Sequence, residues 1–115
     1  MHELSIAMSI VELAEEESER RGGVHITAVH LRLGRLTGVV KDALLSSFEI
    51  ACEETALAGS QLVVEEVPGV IFCSACNSRH AVDSAHWFSC PECGGLATEI
   101  VEGKELEVVS LEVEK

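Results

Sequence analysis

Four cysteines, arranged as two Cys-x-x-Cys pairs, limit what this chain can fold into more than any other feature of its sequence. Cys73 and Cys76 form the first pair, Cys90 and Cys93 form the second, and thirteen residues separate the pairs. Each pair presents two sulfur atoms from one tight turn, and two such turns can surround one tetrahedral ion. Because four thiolates leave no coordination position for water, the spacing predicts a closed, structural metal site.

Zinc and iron both suit this set of sulfur ligands. The segment from Cys90 to Gly94 reads Cys-Pro-Glu-Cys-Gly, which is also similar to a rubredoxin knuckle. Gly94 and Gly95 permit the backbone to curl so that amide groups approach the sulfur atoms. We expect zinc at this site and keep iron as the alternative.

Three further residues have side chains that bind metals. His80 and His86 lie between the two cysteine pairs, and either could replace a cysteine or bind a second metal. Histidines in such positions are more often plain surface residues. Cys52 lies on the apolar stripe of a predicted helix, so we expect a buried, unreactive thiol there.

The charge balance and hydropathy of the chain exclude several kinds of partner. Twenty acidic and eight basic residues give a net charge of −12, so most of the surface would repel the phosphate backbone of a nucleic acid. No stretch approaches the roughly 20 apolar residues that cross a bilayer, and the N-terminus lacks the basic segment of a signal peptide. We therefore expect a cytoplasmic protein without nucleic-acid or membrane partners, whose reduced cysteines bind metal.

The spacing of apolar residues predicts two helices and three strands outside the cysteine-rich segment. The helices are expected at 4–20 and 41–56, and the strands at 25–33, 61–67 and 105–113. Their apolar faces carry Ile6, Ile10, Leu13 and Ala14 in the first helix, Val29, Leu31 and Leu33 in the first strand, and Leu44, Phe48 and Cys52 in the second helix. In the last strand the apolar alternation changes phase, which predicts a bulge near Val108.

Pro68 and Gly69 mark the start of an insertion in which cysteine, small and polar residues predominate until about Gly103. We expect an α+β fold in which two helices pack on a small mixed three-stranded sheet, with an inserted lobe similar to a zinc ribbon. The predicted domains are 1–67 together with 104–115, and 68–103.

The first three residues, Met1-His2-Glu3, offer a second site of a different kind. A free amine, the two following backbone amides and an imidazole can place four nitrogen atoms around one ion in a plane, which is the geometry that Ni(II) and Cu(II) prefer. Met1 is expected to be retained because the bulky His2 follows it. From the residues alone, the alternative is that His2 is an exposed residue at a frayed terminus.

These features together resemble the HypA/HybF family of hydrogenase maturation nickel metallochaperones. The resemblance rests on the opening tripeptide before a helix, the late pair of cysteine knuckles, the segment GRLTGV at 34–39 and the closing VVSLEVEK at 108–115. It covers nearly the whole chain and implies a carrier rather than an enzyme. It also implies that nickel is held by the amine of Met1, the amide and imidazole of His2, and the amide or carboxylate of Glu3, while zinc is structural.

The resemblance further implies that the 1–67 plus 104–115 domain binds nickel and that 68–103 binds zinc. The implied partners are a nickel-handling GTPase and the large subunit of a nickel-iron hydrogenase, and a weak homodimer is left open. Some members of the family place an aspartate as an extra nickel ligand where this chain has Val40, and Asp42 would point elsewhere on a helix. The alternative function is a zinc-ribbon adaptor that binds proteins without nickel.

Overall fold

The computed structural model describes residues 2–83, 88–96 and 99–114. Along the chain these residues form α1 (Glu3–Arg20), β1 (Ile26–Gly34), α2 (Lys41–Cys52), β2 (Gln61–Val67), β3 (Gly69–Cys73), β4 (Ser78–Val82), β5 (Glu99–Glu102) and β6 (Leu106–Val113). One three-stranded sheet has the order β2-β1-β6 and the other has the order β4-β3-β5. The predicted α+β class, with two helices and a three-stranded sheet formed by the elements outside the insertion, is confirmed.

Helix α1 begins and ends close to the predicted positions, and Ile10 and Ala14 of its predicted apolar face are buried. Its buried residues are Ala7, Ile10, Val11, Ala14 and Ser18. The expectation that Leu13 lies on the buried face is wrong, because its side chain is 51% exposed. Ser18 takes part in the buried face because its hydroxyl donates to the carbonyl of Val24, which satisfies the polar group.

Helix α2 has the predicted apolar stripe but is four residues shorter than expected. Leu44, Phe48 and Cys52 are buried, as the spacing predicted. The helix ends at Cys52 because Glu53 has an extended backbone, with φ −55° and ψ 135°. The carbonyl of Cys52 then accepts both the N–H of Thr55 at 3.1 Å and the hydroxyl of Thr55 at 2.7 Å. This turn replaces the next helical hydrogen bonds.

Strand β1 confirms the predicted alternation, since Val29, Leu31 and Leu33 are all buried. On its other face, His30 and Arg32 are half-buried and pair with acidic side chains. His30 Nε2 lies 2.7 Å from a carboxylate oxygen of Glu112, and Arg32 Nε lies 3.2 Å from a carboxylate oxygen of Glu65. On this face His30 and Arg32 therefore contact carboxylates, while Ala28 is buried.

The chain divides into two compact units. One consists of Met1–Leu31, Val39–Val64 and Val108–Lys115, and the other consists of Arg32–Gly38 and Glu65–Glu107. The second unit includes the whole predicted insertion at 68–103, together with 32–38 and a few residues on either side of the insertion. The domain limits drawn from the sequence remain a prediction. Within the described ranges, no helix is long and apolar enough to cross a membrane.

Leu36 packs between two glycines in the second unit. Its N–H donates to the carbonyl of Gly103 at 2.7 Å. A Cβ atom on Gly103 would lie 2.8 Å from the Leu36 side chain, and one on Gly69 would lie 2.7 Å from it. Gly103 also has a φ of +117°, which side chains rarely allow. These close approaches connect the segment at 32–38 to the beginning and end of the cysteine-rich lobe.

Candidate metal centre

The first cysteine pair lies on a hairpin. Strands β3 and β4 are antiparallel, and Cys73 at the end of β3 faces Ser78 at the start of β4. The chain therefore reverses over four residues, which places Cys76 in the turn. Asn77 has a φ of 51°, a left-handed conformation that asparagine tolerates better than most residues. The hairpin thus directs two sulfur atoms to the same place.

The second pair lies in a turn closed by its own backbone. The N–H of Cys90 donates to the carbonyl of Gly95 at 2.7 Å, and the N–H of Gly94 donates to the carbonyl of Cys90 at 2.9 Å. Two amides also point at sulfur: Glu92 N–H donates to Cys90 Sγ and Gly95 N–H donates to Cys93 Sγ, both at 3.4 Å. The glycines after Cys93 make this approach possible, as expected.

The four predicted sulfur atoms converge on one point. All of them lie within 4.8 Å of one another, with 3.7 Å between Cys73 and Cys93 and 3.8 Å between Cys76 and Cys90. A tetrahedral ion with Zn–S bonds of about 2.3 Å requires sulfur atoms about 3.8 Å apart. The two measured distances each join one pair to the other and match this requirement. The donor set and its dimensions therefore fit a structural zinc ion.

The four cysteines differ in burial, and two of them have shifted pKa values. Cys73 and Cys90 are buried, whereas Cys76 is half-buried and Cys93 is exposed. Backbone N–H groups, that of Cys93 first and then that of Glu92, lower the pKa of Cys90 to about 6 despite its burial. Hydrogen bonds to the neighbouring sulfur atoms of Cys93 and Cys90 raise the pKa of Cys76 to about 12. Because a metal ion binds the thiolate form, any protons on these thiols must be released when the ion binds.

His80 and Cys52 do not join this cluster. His80 lies on β4, where its Nε2 is 3.0 Å from the hydroxyl oxygen of Ser78. His86 lies outside the described residues. Cys52 is buried in α2, and burial, followed by the charge of Glu15, raises the pKa of its thiol to about 11. Over 2–83, 88–96 and 99–114, the four cysteines are the one group of three or more such residues whose ligand atoms converge.

The predicted N-terminal site begins at a helix end. Met1 lies outside the described residues. His2 is exposed and is the N-cap residue of α1, where its carbonyl accepts the N–H of Ile6 at 3.2 Å and its side chain makes no capping bond. Glu3 is the first residue of the helix, and its Oε2 accepts the N–H of Val40 at 3.1 Å. This hydrogen bond is the main cause that lowers the pKa of the Glu3 carboxyl.

Sequence reasoning missed the contact between Glu3 and Val40. One signal for it was present, because Val40 precedes the second helix without a side chain that can cap it. Val40 itself is 58% exposed, and its backbone N–H donates to the Glu3 carboxylate.

Comparison with known proteins finds similarity over almost the entire chain. The family model described as "Hydrogenase/urease nickel incorporation, metallochaperone, hypA" matches residues 1–113. The chain belongs to the HypA family. Membership confirms the resemblance noted from the sequence and identifies the chain as a metallochaperone, not an enzyme.

Several HypA proteins are similar along their full length. A relative from Roseiflexus sp., named hydrogenase maturation factor HypA, is 48% identical over 99% of this chain and 93% of its own. A relative of the same name from Chloroflexus aurantiacus is 51% identical over 97% of this chain and 98% of its own. The solution structure of the Ni metallochaperone HypA from Helicobacter pylori superposes with a TM-score of 0.66 at 25% identity, covering 98% of this chain and 97% of that one.

Proposed function

We propose that this chain is a nickel carrier that binds one Ni(II) ion at its N-terminus and delivers it during maturation of a nickel-iron hydrogenase. The observation that carries the proposal is the position of His2, exposed and at the N-cap of α1 in a chain of the HypA family. The proposed ligands are the amine of Met1, the amide and imidazole of His2, and Glu3.

The start of a helix suits this set of ligands. The first N–H groups of a helix have no acceptor within the helix, so the amides of His2 and Glu3 can release their protons to water and bind nickel through nitrogen without breaking a helical hydrogen bond. The bond from Ile6 uses the carbonyl of His2, not its nitrogen. Nickel can therefore bind at this end while α1 stays intact.

The cysteine site has a separate role in the proposal. We assign structural zinc to Cys73, Cys76, Cys90 and Cys93, and the zinc-binding domain to 68–103, with 1–67 and 104–115 forming the nickel-binding domain. A closed set of four thiolates releases metal slowly, whereas a terminal site with few ligands can exchange it. The exchangeable ion is thus nickel and the retained ion is zinc.

Delivery requires proteins that supply and accept nickel. The relatives are named hydrogenase maturation factors, and the proposed partners are a nickel-handling GTPase of the same pathway and the hydrogenase large subunit. We place the encounter in the cytoplasm, where thiols stay reduced and the four cysteines can hold zinc.

The decisive experiment is a calorimetric nickel titration of zinc-loaded protein whose native N-terminus has been verified by mass spectrometry. Acetylation of the Met1 amine should abolish specific nickel binding, because the amine becomes an amide and loses its basic lone pair. His2→Ala should be comparably damaging. His25→Ala is the matched control, since His25 is also exposed but lies in the segment before β1.

Zinc content and far-ultraviolet circular dichroism should be the same in all four proteins. If the acetylated form binds nickel as tightly as the native one, the N-terminal site is wrong, and His80 or His86 becomes the next candidate ligand. Protein that binds one zinc and no nickel would instead support the zinc-ribbon adaptor.

A further inference from the structure

The carboxylate of Glu3 accepts a hydrogen bond from a distant part of the sequence. Its Oε2 lies 3.1 Å from the backbone nitrogen of Val40, across 37 positions of sequence. Glu3 is the first residue of α1 and Val40 is the N-cap residue of α2. One hydrogen bond therefore joins the N-terminal ends of the two helices.

Helix α2 cannot supply this acceptor itself. In a capping box, the N–H of the N-cap residue is bonded by a Glu or Gln at the third helical position, but that position in α2 is Ala43. Val40 also makes no side-chain capping bond. Its carbonyl accepts the N–H of Leu44 at 3.0 Å, which fixes Val40 at the start of α2. Glu3 takes the place of the missing capping residue.

We infer that Glu3 is a positioning residue of the nickel site: its carboxylate anchors the N-terminus to the Val40 amide and does not coordinate nickel. This inference rests on the proposed function. Chain termini fray unless something holds them, and a ligand held in place before binding loses less conformational freedom when the metal arrives. The anchor lies one residue after His2, so it restricts the imidazole and amide that nickel requires.

The charge of Glu3 has a second, smaller effect. Each helix N-terminus carries a partial positive charge of about half an electron, which disfavours a nearby cation. A carboxylate between two such ends offsets part of that charge. Substitution can separate the effects, because Glu3→Gln retains an oxygen acceptor for Val40 but loses the charge, whereas Glu3→Ala loses both.

A change at Val40 removes the same hydrogen bond without altering Glu3. Proline has no N–H, and the φ of Val40 is −85°, close to the range that proline adopts. Val40→Pro therefore deletes the donor. Val40→Ala shortens the same side chain but retains the N–H, so the difference between these two variants measures the loss of the donor alone.

The test is calorimetric nickel titration of the full-length, zinc-loaded protein and these variants, with the visible absorption of bound nickel recorded for each. Glu3→Ala and Val40→Pro should each weaken nickel binding by about tenfold, the usual effect of losing a hydrogen bond to a charged group. Glu3→Gln should weaken it by less than about threefold. The double variant Glu3→Ala with Val40→Pro should be about as weak as either single variant, because both remove one interaction.

The absorption of bound nickel should be the same in every variant, since the ligands do not change. The inference is overturned if Glu3→Gln weakens binding as much as Glu3→Ala and shifts the absorption, which would make the carboxylate a ligand. It is also overturned if Glu3→Ala binds like the native protein. Should Val40→Pro fail to fold, the comparison of Glu3→Ala with Glu3→Gln still decides whether the Glu3 carboxylate binds nickel or only anchors the N-terminus.

Failure of this inference can be distinguished from failure of the proposed function. The protein acetylated at the Met1 amine is titrated in parallel. Loss of binding on acetylation, with no effect of Glu3→Ala, refutes the positioning role alone. Full nickel binding by the acetylated protein refutes the N-terminal site and, with it, the role of Glu3.

Discussion

The sulfur atom of Cys76 lies 3.8 Å from that of Cys90, although the two residues belong to different turns separated by a hairpin strand. Four thiolates at such distances repel one another strongly unless protons or a cation lie between them. The two turns can therefore stay together as thiolates only around a metal ion. Metal content and folding of the lobe should change together.

We expect Cys73→Ala to abolish zinc binding and to disorder the 68–103 lobe, while the circular dichroism of α1 and α2 persists. Elemental analysis of protein purified without added metal should find one zinc per native chain. Cys52→Ala is the matched control and should retain zinc, since Cys52 lies in α2. Iron with visible charge-transfer absorption in the native protein would contradict the choice of metal, and loss of all helical signal would contradict the independence of the helices.

Nickel binding should weaken steeply when the pH falls from about 7 to about 6. The amine, the amides and the imidazole of His2 must each be free of a proton to coordinate the ion, so protons compete with nickel at every ligand. Histidine in general changes charge in this range. Titrations at several pH values, with zinc content verified at each, measure the effect. An affinity that stays flat would mean that neither the amine nor His2 is a ligand.

Cys52 should be the last thiol to react with iodoacetamide once zinc is removed, because it stays buried in α2 while the lobe that carries the other four cysteines is expected to lose its order. Its pKa is also raised to about 11, mainly by burial, from an ordinary value of 9.0, so its reactive thiolate is about a hundredfold scarcer at pH 8 than that of an ordinary thiol. In the unfolded chain this thiol ionises near its ordinary value, so its contribution to stability is lost between about pH 9 and pH 11. Mass spectrometry should find four labels after zinc removal and the fifth only after unfolding. Early labelling of Cys52 would show that α2 opens readily.

Phe48→Ala should destabilise the protein by about 3–5 kcal/mol, the usual cost of removing a buried aromatic side chain. Phe48 is 1% exposed and lies in the centre of the α2 stripe. Ile50→Ala, two residues away and 60% exposed, should change the free energy of unfolding by less than about 1 kcal/mol. Urea denaturation of the zinc-loaded proteins gives both values. Equal destabilisation by the two substitutions would mean that the stripe is not the core.

The features that the sequence predicted well are those with local causes. The two cysteine pairs contain their own turn geometry, and the apolar stripe of α2 repeats every four residues at Leu44, Phe48 and Cys52. Both patterns can be recognised within a few residues of sequence. The predicted limits of β2, 61–67, were the observed ones, because Pro68 has no backbone N–H with which to continue the strand.

Features that depend on distant residues could not be predicted in this way. Leu13 is exposed because the buried face of α1 is completed by Ser18, whose hydroxyl finds the carbonyl of Val24 only after the chain has turned. The three strands of the cysteine-rich lobe are short, and pairing between them rather than hydropathy defines them. The bond from Val40 to Glu3 joins a backbone amide to a side chain 37 residues earlier, which no periodicity reveals.

The division of the chain into interleaved units has a consequence for how the protein is made. The chain passes from one unit to the other after Leu31, Gly38, Val64 and Glu107, so neither unit is a continuous segment. On the ribosome, α1 and α2 are synthesised before β6, the strand that completes the sheet of β2 and β1 and that follows every other described element. The N-terminal tripeptide is therefore available long before its own unit can close. A nickel ion bound by the nascent chain would therefore be held by a protein whose sheet still lacks β6.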